Sequence, residues 1–147
     1  MNVSAQELFA ASEGTWPAAR TWQLGPFTLR DGQGAGQRVS AATVEGAFAE
    51  ADLDAAVAAM RGAGQRPLFQ LRGDSSALLS ALEARGYTAR DETLLYALPI
   101  EKLTDKPIPR VTAFDLWEPL AIMNEIWASD GIGPERLAVM ARAKTKT

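Results

Sequence analysis

Residues 52–87 read DLDAAVAAMRGAGQRPLFQLRGDSSALLSALEARGY, and the fold turns on this stretch. Leu53, Ala56, Val57 and Met60 fall at i, i+3, i+4 and i+7, one apolar stripe of a helix that starts at Asp52. Gly62 and Gly64 stop it. Pro67–Arg72 carries Leu68, Phe69 and Leu71, a short strand. Asp74 or Ser75 then caps a second helix whose Leu78, Leu79 and Leu82 face a core, and Gly86 ends it. A helix, a strand and a helix therefore follow one another with short connections.

Working outward, Tyr87–Ile100 reads as a long strand with a polar start and an apolar end, Leu94, Leu95, Tyr96 and Leu98. Upstream, Ser4 with Glu7 forms a capping-box pattern, so a helix is expected over 4–13, closed by Gly14 and Pro17. Thr21–Arg30 reads as a strand in which Gly25-Pro26 shifts the apolar phase, the mark of a bulge. Asp31–Gln37 is a loop, and Arg38–Val44 a second strand that completes a hairpin. The element order predicts an α+β fold with a mixed, mostly antiparallel sheet flanked by helices 52–62 and 75–85. Leu53, Val57, Met60, Leu68, Phe69, Leu71, Leu78, Leu79, Leu82 and Leu95 are its expected core.

Glu101–Arg110 holds Pro107 and Pro109 without periodicity and reads as a linker. Beyond it, Leu120, Met123 and Trp127 form a helical stripe. Gly131 and Gly133 interrupt, and Pro134 opens a last helix with Leu137, Met140 and Ala141.

Composition narrows the chemistry. The chain has 147 residues and contains neither Cys nor His. Disulfides, thiol nucleophiles, triads built on His and nearly all zinc sites are excluded, and no metal site is expected. Lys+Arg number 15 and Asp+Glu 18, a net charge of −3 that disfavours nucleic acid as a partner. No apolar run is long enough to span a membrane and no leader pattern is visible, so a cytoplasmic location is expected.

The motifs with a chemical flavour read as structure. Gly32-Gln33-Gly34-Ala35-Gly36 lies between two strands, whereas a phosphate cradle opens a helix, so it reads as a turn. Trp16, Trp22, Trp117 and Trp127 read as core, and Glu45, Glu50, Asp52 and Asp54 as charge complementing a helix start. Arg61 and Arg66 read as solvated, and Ser75-Ser76 as a cap.

The element order over 4–100 resembles the GNAT-type N-acetyltransferase fold. Ala81-Leu82-Glu83-Ala84-Arg85-Gly86-Tyr87, followed by Leu94–Leu98, looks like the family's final helix–strand unit. Trp16-Pro17-Ala18 and Arg38-Val39-Ser40 also resemble bacterial members in which a degenerate GNAT-like domain precedes an active one. Two departures stand out. The family's R/Q-x-x-G-x-G/A segment, whose amides hold the pyrophosphate of acetyl-CoA, is replaced by Val44-Glu45-Gly46-Ala47-Phe48-Ala49-Glu50-Ala51-Asp52. Leu82 stands where many members carry a Tyr general acid.

The resemblance implies three parts: a degenerate GNAT-like domain at 1–100, a linker at 101–110, and the opening of a second GNAT-like domain at 111–147. In the last part Val111-Thr112-Ala113-Phe114 would be the first strand, with helices over 120–129 and 134–143. The loop between those helices borders the acceptor amine in the family, which nominates Trp127, Asp130 and Ile132 for substrate contact. The expected function is that of a non-catalytic N-terminal portion of an acyl-CoA-dependent N-acetyltransferase acting on an amine. In the whole enzyme a general base would deprotonate the amine, and strand-splay amides would hold the oxyanion. Acetyl-CoA is the family's cofactor, yet this chain alone is expected neither to bind it tightly nor to transfer acetyl groups. The alternatives are a non-enzymatic GNAT-like domain that binds a partner or small ligand in the vacated groove, and a homodimer formed through residues 117–143.

Overall fold

The computed structural model of the chain describes residues 3–103, 106–112, 116 and 118–143. Helix α1 (Ala5–Thr15) precedes a hairpin of β1 (Arg20–Leu24) and β2 (Phe27–Asp31), and β3 (Thr43–Val44) completes a three-stranded antiparallel sheet in the order β1-β2-β3. Helices α2 (Glu50–Gly62) and α3 (Ser76–Glu83) follow, and α4 (Ala121–Ser129) and α5 (Pro134–Arg142) close the described chain. The expected mixed α+β class holds.

The start of α1 is the capping box read from sequence. Ser4 Oγ accepts from the Glu7 amide, and the Glu7 carboxylate accepts from the Ser4 amide at 2.8 Å. Helix α2 has half of that device: Asp52 accepts from the Ala49 amide at 2.8 Å, while Ala49 has no side-chain acceptor to return. At α3 it is Asp74 that accepts from the Ser76 amide, and Ser75 instead closes a turn with Arg72.

The phase shift at Gly25-Pro26 is a chain reversal and not a bulge. Leu24 pairs with Phe27, so the two residues between them are the whole turn. Gly25 sits at φ 55 and Pro26 fixes the next φ near −65°, the order of a type II′ turn. The chain turns over there, and both apolar sets reach one face.

That face is the core. Phe27 and Leu29 are fully buried against Leu53, Ala56 and Met60 of α2 and Leu78 and Leu82 of α3, with Trp22, Leu24, Val44 and Phe69 packed around them. Phe69 meets Phe27 and Tyr87 edge-on, with centroids 6.0 and 5.9 Å apart. Val57, Leu68, Phe69 and Leu79 are half-buried. A smaller cluster joins Val139 of α5 to Ala35 and Val39, with Trp16 and Ala18 against it. Trp22 and Trp127 are also half-buried, and Trp117 lies outside the described residues.

Four strand expectations are corrected. Of Arg38–Val44, only Thr43–Val44 is strand, because Gln37–Ser40 folds into a turn in which the Ser40 and Ala41 amides both bond the Gln37 carbonyl. Pro67–Arg72 contributes one parallel bridge, Ala42 to Phe69, made by two bonds of 2.8 Å. Residues 87–100 form no strand: the Tyr87 amide caps α3 through the Leu82 carbonyl, and 88–99 show no strand pairing among the described residues. On the β3 side of the sheet the Phe69 segment offers a single bridge and no ladder to extend. Leu95 is consequently 43% exposed and Tyr96 84%. Leu71 is 37% exposed, since its segment leaves the sheet after Gln70. Val111 and Thr112 lie in a turn and not a strand, and Ala113 and Phe114 fall outside the described residues.

Candidate functional site: an arginine-lined cleft

The pleat that buries Phe27 and Leu29 turns Thr28 and Arg30 to the opposite face. Register sets Thr21 beside Arg30, and Gln23 and Thr43 on either side of Thr28. This second face is polar, and α1 lies across it without burying one residue of its own. Two adjoining clefts remain, of about 280 and 870 Å³, and Glu13, Thr21, Arg30 and Arg72 line both.

Glu13 of α1 is the pivot. Its Oε1 accepts from Arg30 Nη2 at 2.6 Å and from Arg72 Nη2 at 2.7 Å. Arg30 is 6% exposed and also donates to the Ala41 carbonyl and Thr43 Oγ1, both at 3.0 Å. Arg72 is braced by Gln70 Oε1 and lies 4.8 Å over the Phe9 ring. Burial pushes the Glu13 carboxyl up, but the hydrogen bonds and charges of Arg72 and Arg30 outweigh it and hold it below the ordinary carboxylate range. Burial lowers the Arg30 and Arg38 guanidinium values.

The smaller cleft gathers two more cations. Arg38 donates to the Ser12 carbonyl and Thr15 Oγ1, neutral acceptors that leave its charge uncompensated. Arg142, in the last turn of α5, lines the same cleft, and its Nε and Nη2 are buried without a hydrogen-bond partner among the described residues. Four guanidinium groups thus line one cleft with one carboxylate among them, an excess of three positive charges in a chain whose net charge is −3. Trp16, Pro17, Ala18 and Val39 form the apolar part of the wall. Glu13 is held ionised among these arginines, so the cleft is equipped to bind charge.

Trp127, Asp130 and Ile132 lie elsewhere. They close the corner between α4 and α5, where the Trp127 carbonyl accepts from the Asp130 amide at 3.1 Å and the Ile132 amide at 2.9 Å. None of them lines either cleft. Glu45 lines the larger one, while Glu50 and Asp54 pair with Arg85. Arg61 and Arg66 are exposed outside both clefts, and Leu82 is buried in the core. Residues 32–36 form a turn, with Gly34 and Gly36 at positive φ; a Cβ on Gly32 would collide with Ser40 and Val39.

The sequence reading missed Glu13, Arg30, Arg38, Arg72 and Arg142. One signal was present: Phe27-Thr28-Leu29-Arg30 alternates, which puts an arginine on the non-core side of a central strand. Their convergence from four distant segments has no sequence signature. No family model, no curated protein and no solved structure matches the chain.

Proposed function

We propose that the chain is a GNAT-like unit of an acyl-CoA-dependent N-acetyltransferase and does not itself carry out acyl transfer. One observation carries this reading. In an otherwise antiparallel sheet, β3 leads through α2 to a parallel contact at Phe69, and α3 follows. The two parallel segments touch at one bridge and then part, Val44 staying beside Phe27 while Arg72 turns under α1. A parting of this kind is what the family's strand splay requires. In this reading α4 and α5 open a companion GNAT-like unit, Trp127, Asp130 and Ile132 face its amine substrate, and the protein works in the cytoplasm. The start of α2 is poorly suited to a pyrophosphate, since Asp52 already occupies the Ala49 amide and Glu45 and Glu50 stand nearby. Calorimetric titration with acetyl-CoA tests the proposal, together with acetylation assays on an amine panel. No binding in the micromolar range and no acetylation are expected; either one, if seen, overturns it.

The arginine-lined cleft favours a second reading, a non-enzymatic domain that binds a small ligand. It is supported by buried Arg142 N–H groups that find no acceptor among the described residues, a state that polar interiors rarely leave.

A further inference from the structure

The cleft framed by the end of α1, the turn at Val39 and the last turn of α5 carries a more specific conclusion, resting on the ligand-binding reading. We propose that it binds the oxyanion group of a small, multiply charged organic ligand, with Arg142 and Arg38 as direct contacts and Arg30 and Arg72 as the electrostatic floor.

Three observations lead there. The first is Arg142. Guanidinium N–H groups taken out of water cost free energy unless acceptors meet them, and here Nε and Nη2 are buried without a hydrogen-bond partner among the described residues. The second is charge. Glu13 Oε1 is shared between Arg30 and Arg72, and among the described residues neither Arg38 nor Arg142 pairs with a carboxylate. The excess of three cations calls for a ligand with at least two negative charges. The third is space. About 280 Å³ accepts a small molecule, and Trp16, Pro17 and Val39 give its non-ionic part an apolar wall.

This site is separate from the segment a nucleotide pyrophosphate would need. None of residues 46–52 lines the smaller cleft. The acetyl-CoA titration therefore reads a different property, and the two proposals fail independently.

The experiment uses the full chain and two probes, inorganic phosphate and malonate, titrated by calorimetry at ionic strength matched with sodium chloride. Binding of phosphate or malonate above the chloride control is expected. Tighter phosphate binding assigns a phosphorylated ligand, and tighter malonate binding a dicarboxylate. Arg142→Gln and Arg38→Gln should each weaken binding at least tenfold, while Arg61→Gln, whose side chain is exposed and outside both clefts, should leave it unchanged. A second readout guards against a folding artefact. Arg142→Gln removes an unpaired buried charge, so its thermal midpoint without ligand should equal or exceed that of the parent while binding is lost. Binding of neither anion, or equal binding by Arg142→Gln and the parent, overturns the site. A neutral small molecule that raises the midpoint where both anions fail would overturn the oxyanion assignment alone and leave the groove as a binding site.

Discussion

The two faces of the small sheet are finished in opposite ways. On one, Phe27 and Leu29 meet α2 and α3 with no exposed surface left on either residue. On the other, Thr21, Gln23, Thr28, Arg30 and Thr43 lie under α1, which is held by a carboxylate, a cation over a ring and a carbonyl, with space beneath it. The first face is closed by apolar area and shape, which no ligand can improve. The second is closed by charge and leaves polar groups in want of partners. A protein that places stability on one side of three strands leaves the other free for binding.

The comparison breaks most sharply at the apolar face. Leu53→Ala and Leu82→Ala should each cost roughly 2–5 kcal/mol, read by chemical denaturation, because both side chains are buried among neighbours that can relax only in part. A midpoint unchanged by either would mean that the helix lies in another phase. On the polar face, Glu13→Gln should cost about 1–3 kcal/mol, since it leaves the buried Arg30 without its charged acceptor. Hydrogen exchange of the α1 amides should rise in that variant while α2 amides keep their protection. Equal loosening of both helices would erase the distinction between the faces.

Acid sharpens it further. The Glu13 value is depressed in the folded state by Arg72 and Arg30 against the opposing push of burial. Its contribution is therefore complete above the unfolded carboxylate value and is lost as pH falls through the lowered folded value. Accelerated exchange in the last turn of α1 at that acidic limit should be absent from Glu13→Gln, whose remaining α1 carboxylate, Glu7, acts at the first turn. The smallest effect is expected at Leu95→Ser, within about 0.5 kcal/mol, because an exposed side chain in an unpaired segment has little packing to lose.

Two leucine-rich stretches show how far the sequence could be read. Leu78, Leu79 and Leu82 repeat with helical spacing, and that period alone turns them to one side, where Leu78 and Leu82 are buried. Leu94, Leu95 and Leu98 have the same composition, yet all are exposed. A helix satisfies its backbone internally, whereas a strand exists only where a neighbour offers a matching edge. Helices α1 to α5 were therefore legible to within a few residues, and the isolated strands were not. Gly25-Pro26 fails for a related reason: a bulge and a two-residue turn both shift the apolar phase, and only the pairing of Leu24 with Phe27 separates them. The cleft was the least legible part. Glu13 and Arg72 are 59 positions apart, and nothing in either neighbourhood announces the other.

The exposed stretch after Tyr87 has a consequence for how the molecule would come apart. From 88 to 103 every residue except Pro99 is exposed. Such a backbone fits a protease groove without prior unfolding, so brief digestion should cut there first. The cut need not release the C-terminal piece at once, because Val139 remains buried against Ala35 and Val39. A nicked protein whose halves copurify, then separate in mild denaturant, would show that peptide continuity and noncovalent docking are redundant links between the sheet and α5.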